Sequence, residues 1–302
     1  MINQAIAAFT PIGLEALNDK AEMLERLDNK YILATDRVLP TLQALKGAFD
    51  ILQIDDKRAF TYSTRYFDDE ELRNYYDHLQ RRRKRGKVRV REYVDSGLSF
   101  LEVKLKKQRA STAKHRLRVS EPLRCLDDPC RGFIDECYRG SYDQAFEKPL
   151  KPVILIGYQR ITLVAKEGGE RLTIDTGLNF RTPTIGRAAP PDMFIIETKS
   201  ARGNGIADKI LRSLHVPPTK LASKYCIGMA ATGQVSRRNG FLPALRRLGL
   251  AEPIIPLPPQ SSTPHRPFED TDNGTPLQSF DPHRICAGDG VGVRIASAPA
   301  NG

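Results

Sequence analysis

Eight of the eleven residues from Arg81 to Arg91 are basic, within the stretch RRRKRGKVRVREY. Its second half alternates: on a strand, Lys87, Arg89 and Arg91 share one face and Val88 and Val90 the other. FLEVKLK repeats the pattern, with Glu102, Lys104 and Lys106 opposite Leu101, Val103 and Leu105. In YQRITL, Tyr158, Arg160 and Thr162 share a face, and in FIIETKS Glu197 and Lys199 do. One such strand is an ordinary half-exposed strand, with charge in water and aliphatics in the core. Several of them, each carrying a long cation and two carrying Glu two residues before Lys, suggest a different use. If the sheet closes into a barrel, the charged faces line its lumen. A lumen dense in Arg and Lys is costly when empty and sensible around a polyanion. Its carboxylates can hold Mg²⁺ or Mn²⁺, whose remaining oxygen ligands include phosphates. The chemistry that suits this set is the holding of a polyanion by cations and a carboxylate-bound divalent metal.

Period-two strands are expected at 28–33, 60–67, 87–94, 98–106, 114–119, 154–165, 171–176 and 193–199. Helices are expected at 12–25, with Leu14, Leu17, Ala21 and Leu24 on one face, and at 37–50, with Val38, Leu42, Leu45 and Phe49 inward. Further helices are expected at 69–79, in part of 120–147, at 206–214 before Pro217–Pro218, and at about 219–229. The fold class is therefore α+β. No internal repeat of fixed period is present. After residue 250 no apolar period survives. Nine of the 21 prolines fall in the last 52 residues, so 251–302 reads as a disordered, proline-rich tail following a domain over 1–250.

The chain carries a formal net charge of +11. Residues 251–302 hold three basic and six acidic residues, leaving 44 basic and 30 acidic residues, a net of +14, in 1–250. Such a domain attracts polyanions. Nucleic acid is disfavoured, because the cations alternate with aliphatics on strands and there is no Trp, whereas nucleic-acid surfaces add exposed aromatics for stacking. The five cysteines follow no disulfide or zinc spacing, which reads as a reducing, cytoplasmic setting. No apolar run approaches a membrane span, and the N-terminus lacks a signal-peptide pattern.

RLDNKYIL at 26–33, STRYFDDEELRNYYDHLQRRRKRGKVRVREY at 63–93, LEVKLK at 101–106, KHR at 114–116, YQRITL at 158–163, LTIDTGL at 172–178, IIETKS at 195–200 and TKLASKYCIGM at 219–229 occur in this order. Together they resemble the VTC domain, the polyphosphate polymerase domain of vacuolar transporter chaperone complexes, in its bacterial form. The resemblance spans roughly residues 10–250 and places the chain among the triphosphate tunnel metalloenzymes. It implies an antiparallel eight-stranded β-barrel tunnel with flanking helices. It also implies transfer of the ATP γ-phosphoryl group to a polyphosphate chain, with divalent Mn²⁺ or Mg²⁺. By the same resemblance, Lys30 matches the first tunnel lysine, and Arg65, Arg89 and Arg91 match phosphate-binding arginines with a catalytic part. Lys104 faces them, and Lys114 matches a further tunnel lysine. Tyr158 and Arg160 match nucleotide and phosphate contacts. Glu197 matches the metal-binding glutamate, with Lys199 beside it, and Lys224 matches a catalytic lysine at the tunnel mouth.

One departure bears on activity. Related tunnel enzymes begin with a Glu-x-Glu-x-Lys strand, whereas this chain has Arg26-x-Asp28-x-Lys30. A single carboxylate fits a polymerase better than a two-metal hydrolase. A tripolyphosphatase or nucleoside triphosphatase on the same fold is the competing enzyme reading. A non-catalytic polyphosphate- or nucleotide-binding module is the competing reading of a different class. The expected partners are ATP and polyphosphate. Eukaryotic versions carry a membrane span, so docking on a membrane-protein partner would bring this chain to the inner membrane face.

Three other features have more than one reading. Arg81–Arg85 form either a basic turn at the tunnel mouth or a solvated loop. His78 either contacts phosphate or packs. Asp175 either holds an arginine or a turn, or binds metal. Asp68 is expected to cap the following helix, and Cys226 to lie in the core. GGE at 168–170 is expected to form a hairpin turn.

Overall fold

The computed structural model describes residues 1–20, 27–106 and 112–252. The strands are β1 (Thr10–Ile12), β2 (Leu27–Ala34), β3 (Phe49–Leu52), β4 (Ala59–Asp68), β5 (Gly86–Tyr93), β6 (Leu98–Lys106), β7 (Thr112–Val119), β8 (Lys151–Ala165), β9 (Arg171–Arg181), β10 (Gly186–Ala188) and β11 (Met193–Ser200). The helices are α1 (Ile2–Ala7), α2 (Leu14–Lys20), α3 (Thr35–Leu45), α4 (Arg73–Leu79), α5 (Asp128–Tyr142), α6 (Ile206–Ser213), α7 (Lys224–Ala231) and α8 (Leu242–Arg247). Eight strands follow the order β2-β11-β9-β8-β4-β5-β6-β7, each antiparallel to its neighbours. The expected barrel is corrected in one respect. β2 and β7, at the two ends of this order, share no ladder among the described residues, so backbone pairing does not close the wall. The sheet still curls far enough for Lys104 on β6 to reach Asp28 on β2 at 3.9 Å.

The apolar phases of the strands are buried on the convex side. Val88, Val90, Leu101, Val103, Leu105 and Leu117 pack under α5 through Cys130, Ile134 and Cys137. On the other flank, Leu163, Leu172, Ile174 and Ile196 pack under α3 and α6 through Val38, Leu42, Leu45, Ala207 and Leu211. The concave side is divided. One part is filled by α7, whose residues Tyr225 to Ala231 are all buried against Tyr66, Ile154, Ile156, Phe180 and Ile195. Gly228 makes this docking close, since a Cβ there would stand 2.7 Å from both Ile154 and Phe180. The rest of the concave side is charged.

Several expected boundaries shift. The helix expected at 12–25 begins at Leu14, after β1, and Leu14 is exposed; its last residues lie outside the described ones. The helix expected at 37–50 ends at Leu45, and Phe49 begins β3. α7 starts at Lys224 because Ser223 caps it, accepting from the Cys226 amide at 3.5 Å. Asp68 accepts from the amides of Asn74 and Tyr75 at 3.0 and 3.1 Å, which caps α4 as expected. Gly168 and Gly169, both at positive φ, make the β8–β9 turn. The tail from residue 253 lies outside the described residues.

Candidate functional site

Directly paired residues on antiparallel strands share a face, so the register writes out the concave surface rung by rung. One rung runs Lys30, Glu197, Thr173, Thr162. A second joins Tyr66, Arg89, Glu102 and Arg116, and a third Lys87, Lys104 and Lys114. Thr64 stands beside Arg91, Tyr62 beside Tyr158, and Arg160 beside Asp175. Lys30, Arg89, Arg91, Lys104, Lys114, Tyr158, Arg160, Glu197 and Lys199 therefore face one lumen, and Lys224 enters it from the first turn of α7.

Arg65 does not join them. It pairs with Val90 and Leu155, one residue out of phase with Thr64 and Tyr66, so it points to the convex side. There its guanidinium donates to the Leu123 carbonyl at 2.8 Å. Burial and the neighbouring Arg124 push it down to about 10. Its expected place in the lumen is corrected. The residue that motif puts inside is Tyr66, whose hydroxyl accepts from Arg89 at 2.9 Å.

Three carboxylates organise the cations. Glu102, 1% exposed, is met by Arg89 at 2.6 Å, Lys114 at 2.8 Å, Arg116 at 3.0 Å and Arg91 at 3.7 Å. Asp175, fully buried, takes a two-pronged contact from Arg160 at 2.6 and 2.8 Å and a bond from Lys224. Glu197 pairs with Lys30 at 2.5 Å and Lys199 at 3.7 Å. Burial alone would raise all three carboxyls. For Glu102, Arg89 and Arg91 outweigh burial; for Asp175, Arg160 and Lys224 do; for Glu197, Lys30 and Lys199 do, and all three lie well below the usual range.

Positive charge remains in excess. Lys30, Lys87, Arg89, Arg91, Lys104, Lys114, Arg116, Arg160, Lys199 and Lys224 face Asp28, Glu102, Asp175 and Glu197, ten cations against four anions. Thr64 Oγ1, Arg91 Nε, Tyr158 Oη and Thr173 Oγ1, all on this face and all at least nine-tenths buried, have no hydrogen-bond partner. Buried polar atoms are normally satisfied. Four together beside surplus charge mark a surface shaped for something it does not itself supply. The Tyr158 ring stacks on Tyr62 at 5.3 Å, with the Arg160 guanidinium over both rings.

At one mouth a cleft of about 290 Å³ is lined by Asp28, His78, Arg85, Lys87, Lys104 and Lys106. His78 lines this cleft with one ring nitrogen turned to its own helix. Its Nδ1 lies 2.8 Å from the Asn74 carbonyl, and burial together with Lys87 pushes it down to about 2. A larger cleft, about 1230 Å³, lies on the convex side around Arg58, Arg65, Glu92 and Arg124. It holds charges of both signs and lacks the lumen's surplus of cations.

Lys87 belongs to the site although no single motif singled it out; its parity with Arg89 was the available signal. Burial, aided by Lys104 and Lys30, lowers it to about 8, and burial lowers Lys199 to about 8 against the pull of Glu197. A bound phosphate would restore both protons. Affinity for tripolyphosphate is therefore expected to fall between pH 7 and pH 9 by about tenfold for each of these lysines. The ligand-free fold is expected to gain stability from pH 8 to pH 10, because there the unfolded chain, with ordinary lysines, binds more protons than the folded one. Calorimetric Kd values across this range, repeated with Lys87→Met, check the first expectation, since the variant should lose one decade of the dependence.

Residues 25–232 match the sequence profile of the VTC domain. The chain belongs to the VTC domain family. Among curated proteins no sequence matches this VTC domain. Among solved structures it is similar to a protein from Hippeastrum described as a candidate adenylyl cyclase with a dominant triphosphatase activity, at 14% identity and a TM-score of 0.40, covering 69% of this chain and 97% of that one. It is also similar to two proteins from Pyrococcus horikoshii OT3. One is 15% identical, with a TM-score of 0.39 and 66% and 96% of the two chains covered; the other is 16% identical, with 0.36, 64% and 95%. At these scores nothing of the neighbours' chemistry transfers to the VTC domain described here.

Proposed function

We propose that this VTC domain transfers the γ-phosphoryl group of ATP to the end of a polyphosphate chain held in the lumen. The observation that carries the proposal is the surplus of lumen cations beside four buried polar atoms without partners. A polyanion supplies both the missing charge and the missing acceptors. Arg91, whose Nε has no hydrogen-bond partner, Lys87, and Lys104, held only by a 3.9 Å contact with Asp28, are the cations most available to phosphate. Arg89 and Arg160 have forks already engaged by Glu102 and Asp175, so they set the walls as much as they bind. Lys224, at the N-terminal turn of α7, stands where the helix meets the lumen.

Transfer rather than hydrolysis is supported by the carboxylates. Glu102 and Asp175 are locked by cations, so neither is available as a base to activate water. A terminal phosphate is already anionic at neutral pH and needs none. A divalent cation fits in one way. Among the described residues no three His, Cys, Asp or Glu side chains gather as a metal cage. Glu197, whose carboxylate faces the lumen, fits the mode in which one carboxylate and the substrate's phosphates share Mg²⁺ or Mn²⁺. When bound, the metal supplies charge neutralisation on the transferring group.

No helix among the described residues is long and apolar enough to cross a membrane. Docking on a membrane partner is part of this proposal and rests on the family alone. Incubation with ATP and Mn²⁺, followed by resolution of the products, tests the function. Long polyphosphate is expected. Free phosphate alone would give the tripolyphosphatase reading, and binding without turnover would give a non-catalytic module.

A further inference from the structure

We propose that Glu102 is a built-in counter-anion: a positioning residue that holds the cations of the β5–β7 wall in the arrangement a phosphate group needs, and then shares them with the phosphate. The inference rests on the lumen holding an oligophosphate, as in the function proposed above, and does not depend on whether transfer occurs.

Glu102 stands at the centre of a three-strand wall, directly opposite Arg89 on one side and Arg116 on the other. Its two oxygens are divided between two pairs of cations. Oε2 takes Arg89 Nε at 2.7 Å and lies 3.7 Å from Arg91 Nη1, while Oε1 takes Lys114 Nζ at 2.8 Å and Arg116 Nη2 at 3.0 Å. A stabilising ion pair needs one cation, and here one carboxylate serves four. Both oxygens are held by cations at 2.8 Å or less, which leaves neither for a divalent metal. A carboxylate presents its oxygens to a guanidinium much as a phosphate does. Glu102 therefore pre-sets the forks before the ligand arrives, in the orientation that turnover requires. The ring stays incomplete toward the lumen. Arg91 keeps a buried Nε without a partner, and the Lys114 and Arg116 side chains remain 37% and 42% exposed. These are the donors a phosphate would share with Glu102.

The two parts of this role act in opposite directions on binding and on rate. Glu102 repels the ligand as a like charge, and it aims the arginines. In Glu102→Gln, tripolyphosphate is expected to bind about tenfold more tightly, from loss of one anion a few ångströms away in a partly screened site. Any turnover should fall about tenfold or more, because Arg89 and Arg116 lose the anchor that orients them. Glu102→Asp, which keeps the charge, should bind within about twofold of wild type. A carboxylate that merely stabilised the fold would give a lower melting temperature with unchanged or weaker binding.

The test is calorimetric titration with tripolyphosphate, without turnover, of wild type, Glu102→Gln, Glu102→Asp, Lys114→Gln and the double variant Glu102→Gln/Lys114→Gln. The double variant keeps the lumen's net charge and remains informative if Glu102→Gln alone does not fold. Tighter binding on introducing Gln at 102, in either background, supports the proposal. Unchanged or weaker binding in the background that folds overturns it. Loss of tripolyphosphate binding by the wild type would instead overturn the proposed function itself.

Discussion

Asp175→Ala is expected to cost about 3–5 kcal/mol of stability, the range found when one member of a buried ion pair is removed. The carboxylate is fully buried, and both its partners are only 12% exposed on their side chains. Without it, Arg160 and Lys224 would remain in the lumen wall with no anion, in a region where Glu197 already serves Lys30 and Lys199. For a chain of this size the melting temperature should fall by roughly 10 °C. Tripolyphosphate should restore part of the loss, since it can occupy the fork Arg160 no longer gives to Asp175. Asp175→Asn keeps the shape and some acceptor capacity, so it should cost less than Asp175→Ala. Thermal denaturation with and without tripolyphosphate measures all three effects. A loss below about 1 kcal/mol for Asp175→Ala would mean that water reaches these cations and that the pair is a surface pair in energetic terms. Because the carboxyl lies below its ordinary range in the folded protein, its contribution is present above about pH 4 and is lost as pH falls further.

Asp175 holds an arginine, as one of its two readings had it, but its strand also shows where legibility in the sequence stopped. The strand residues Lys87, Arg89, Arg91, Glu102, Lys104, Arg160, Glu197 and Lys199 could be placed in a lumen from parity, because their strands pair without interruption through those positions. β9 does not. Its register against β8 shifts between Gly157 and Gln159, and Gly177 adopts positive φ. Leu178 and Phe180 pack inward under α7, so strict alternation would turn Thr176 and Ile174 inward. The bulge inverts the phase and brings Asp175 and Thr173 to the lumen instead. A one-residue irregularity of this kind depends on the facing strand, and nothing local in LTIDTGL announces it.

Arg65 failed for another reason. The resemblance of TRYFD to the family motif assigned it to phosphate, while the tyrosines at 62 and 66 carried the opposite parity. On β4 both faces are buried in part, so hydrophobicity did not break the tie, and the cross-strand partners Arg89 and Arg91 were needed to do so. Helix ends were legible where a breaker stood, as after α6 before Pro217–Pro218, but not at the cap Ser223, which starts α7 at Lys224 rather than at the expected 219. They were not legible where an apolar run passed from helix to strand, as from Leu45 of α3 to Phe49 of β3. There an apolar residue at helical spacing is equally an apolar residue at the start of a strand.

Glu197→Gln is expected to lower metal-dependent turnover by at least about a hundredfold, the range seen when one charge-stabilising group is removed from an active site. It should change ATP affinity by less than about threefold. The fold should survive, because the amide is nearly isosteric and its removal of a charge leaves Lys30 and Lys199 at a lumen edge where both side chains keep some solvent contact, 28% and 17%. The split between rate and affinity follows from the division of labour in the lumen. Under the proposed function, Arg91, Lys87 and Lys104 would hold the triphosphate in ground and transition states alike, so binding should persist. The carboxylate at 197 is the lumen group placed to share a divalent cation with phosphate, since its Oε1 meets a cation only at 3.7 Å, whereas both oxygens of Glu102 and of Asp175 are held by cations at 2.8 Å or less. A neutral amide is a poor ligand for a hard cation, and the interaction lost is one that matters most as charge develops on the transferring group. The measurement is turnover with Mn²⁺ and with Mg²⁺ beside a calorimetric Kd for ATP. Wild-type turnover in Glu197→Gln would remove Glu197 from the metal's coordination and leave Asp28, 3.9 Å from Lys104 at the mouth of the same lumen, as the carboxylate to test next. Equal losses in turnover and affinity would instead make Glu197 a residue that orders Lys30 and Lys199 for phosphate, with no metal in its role.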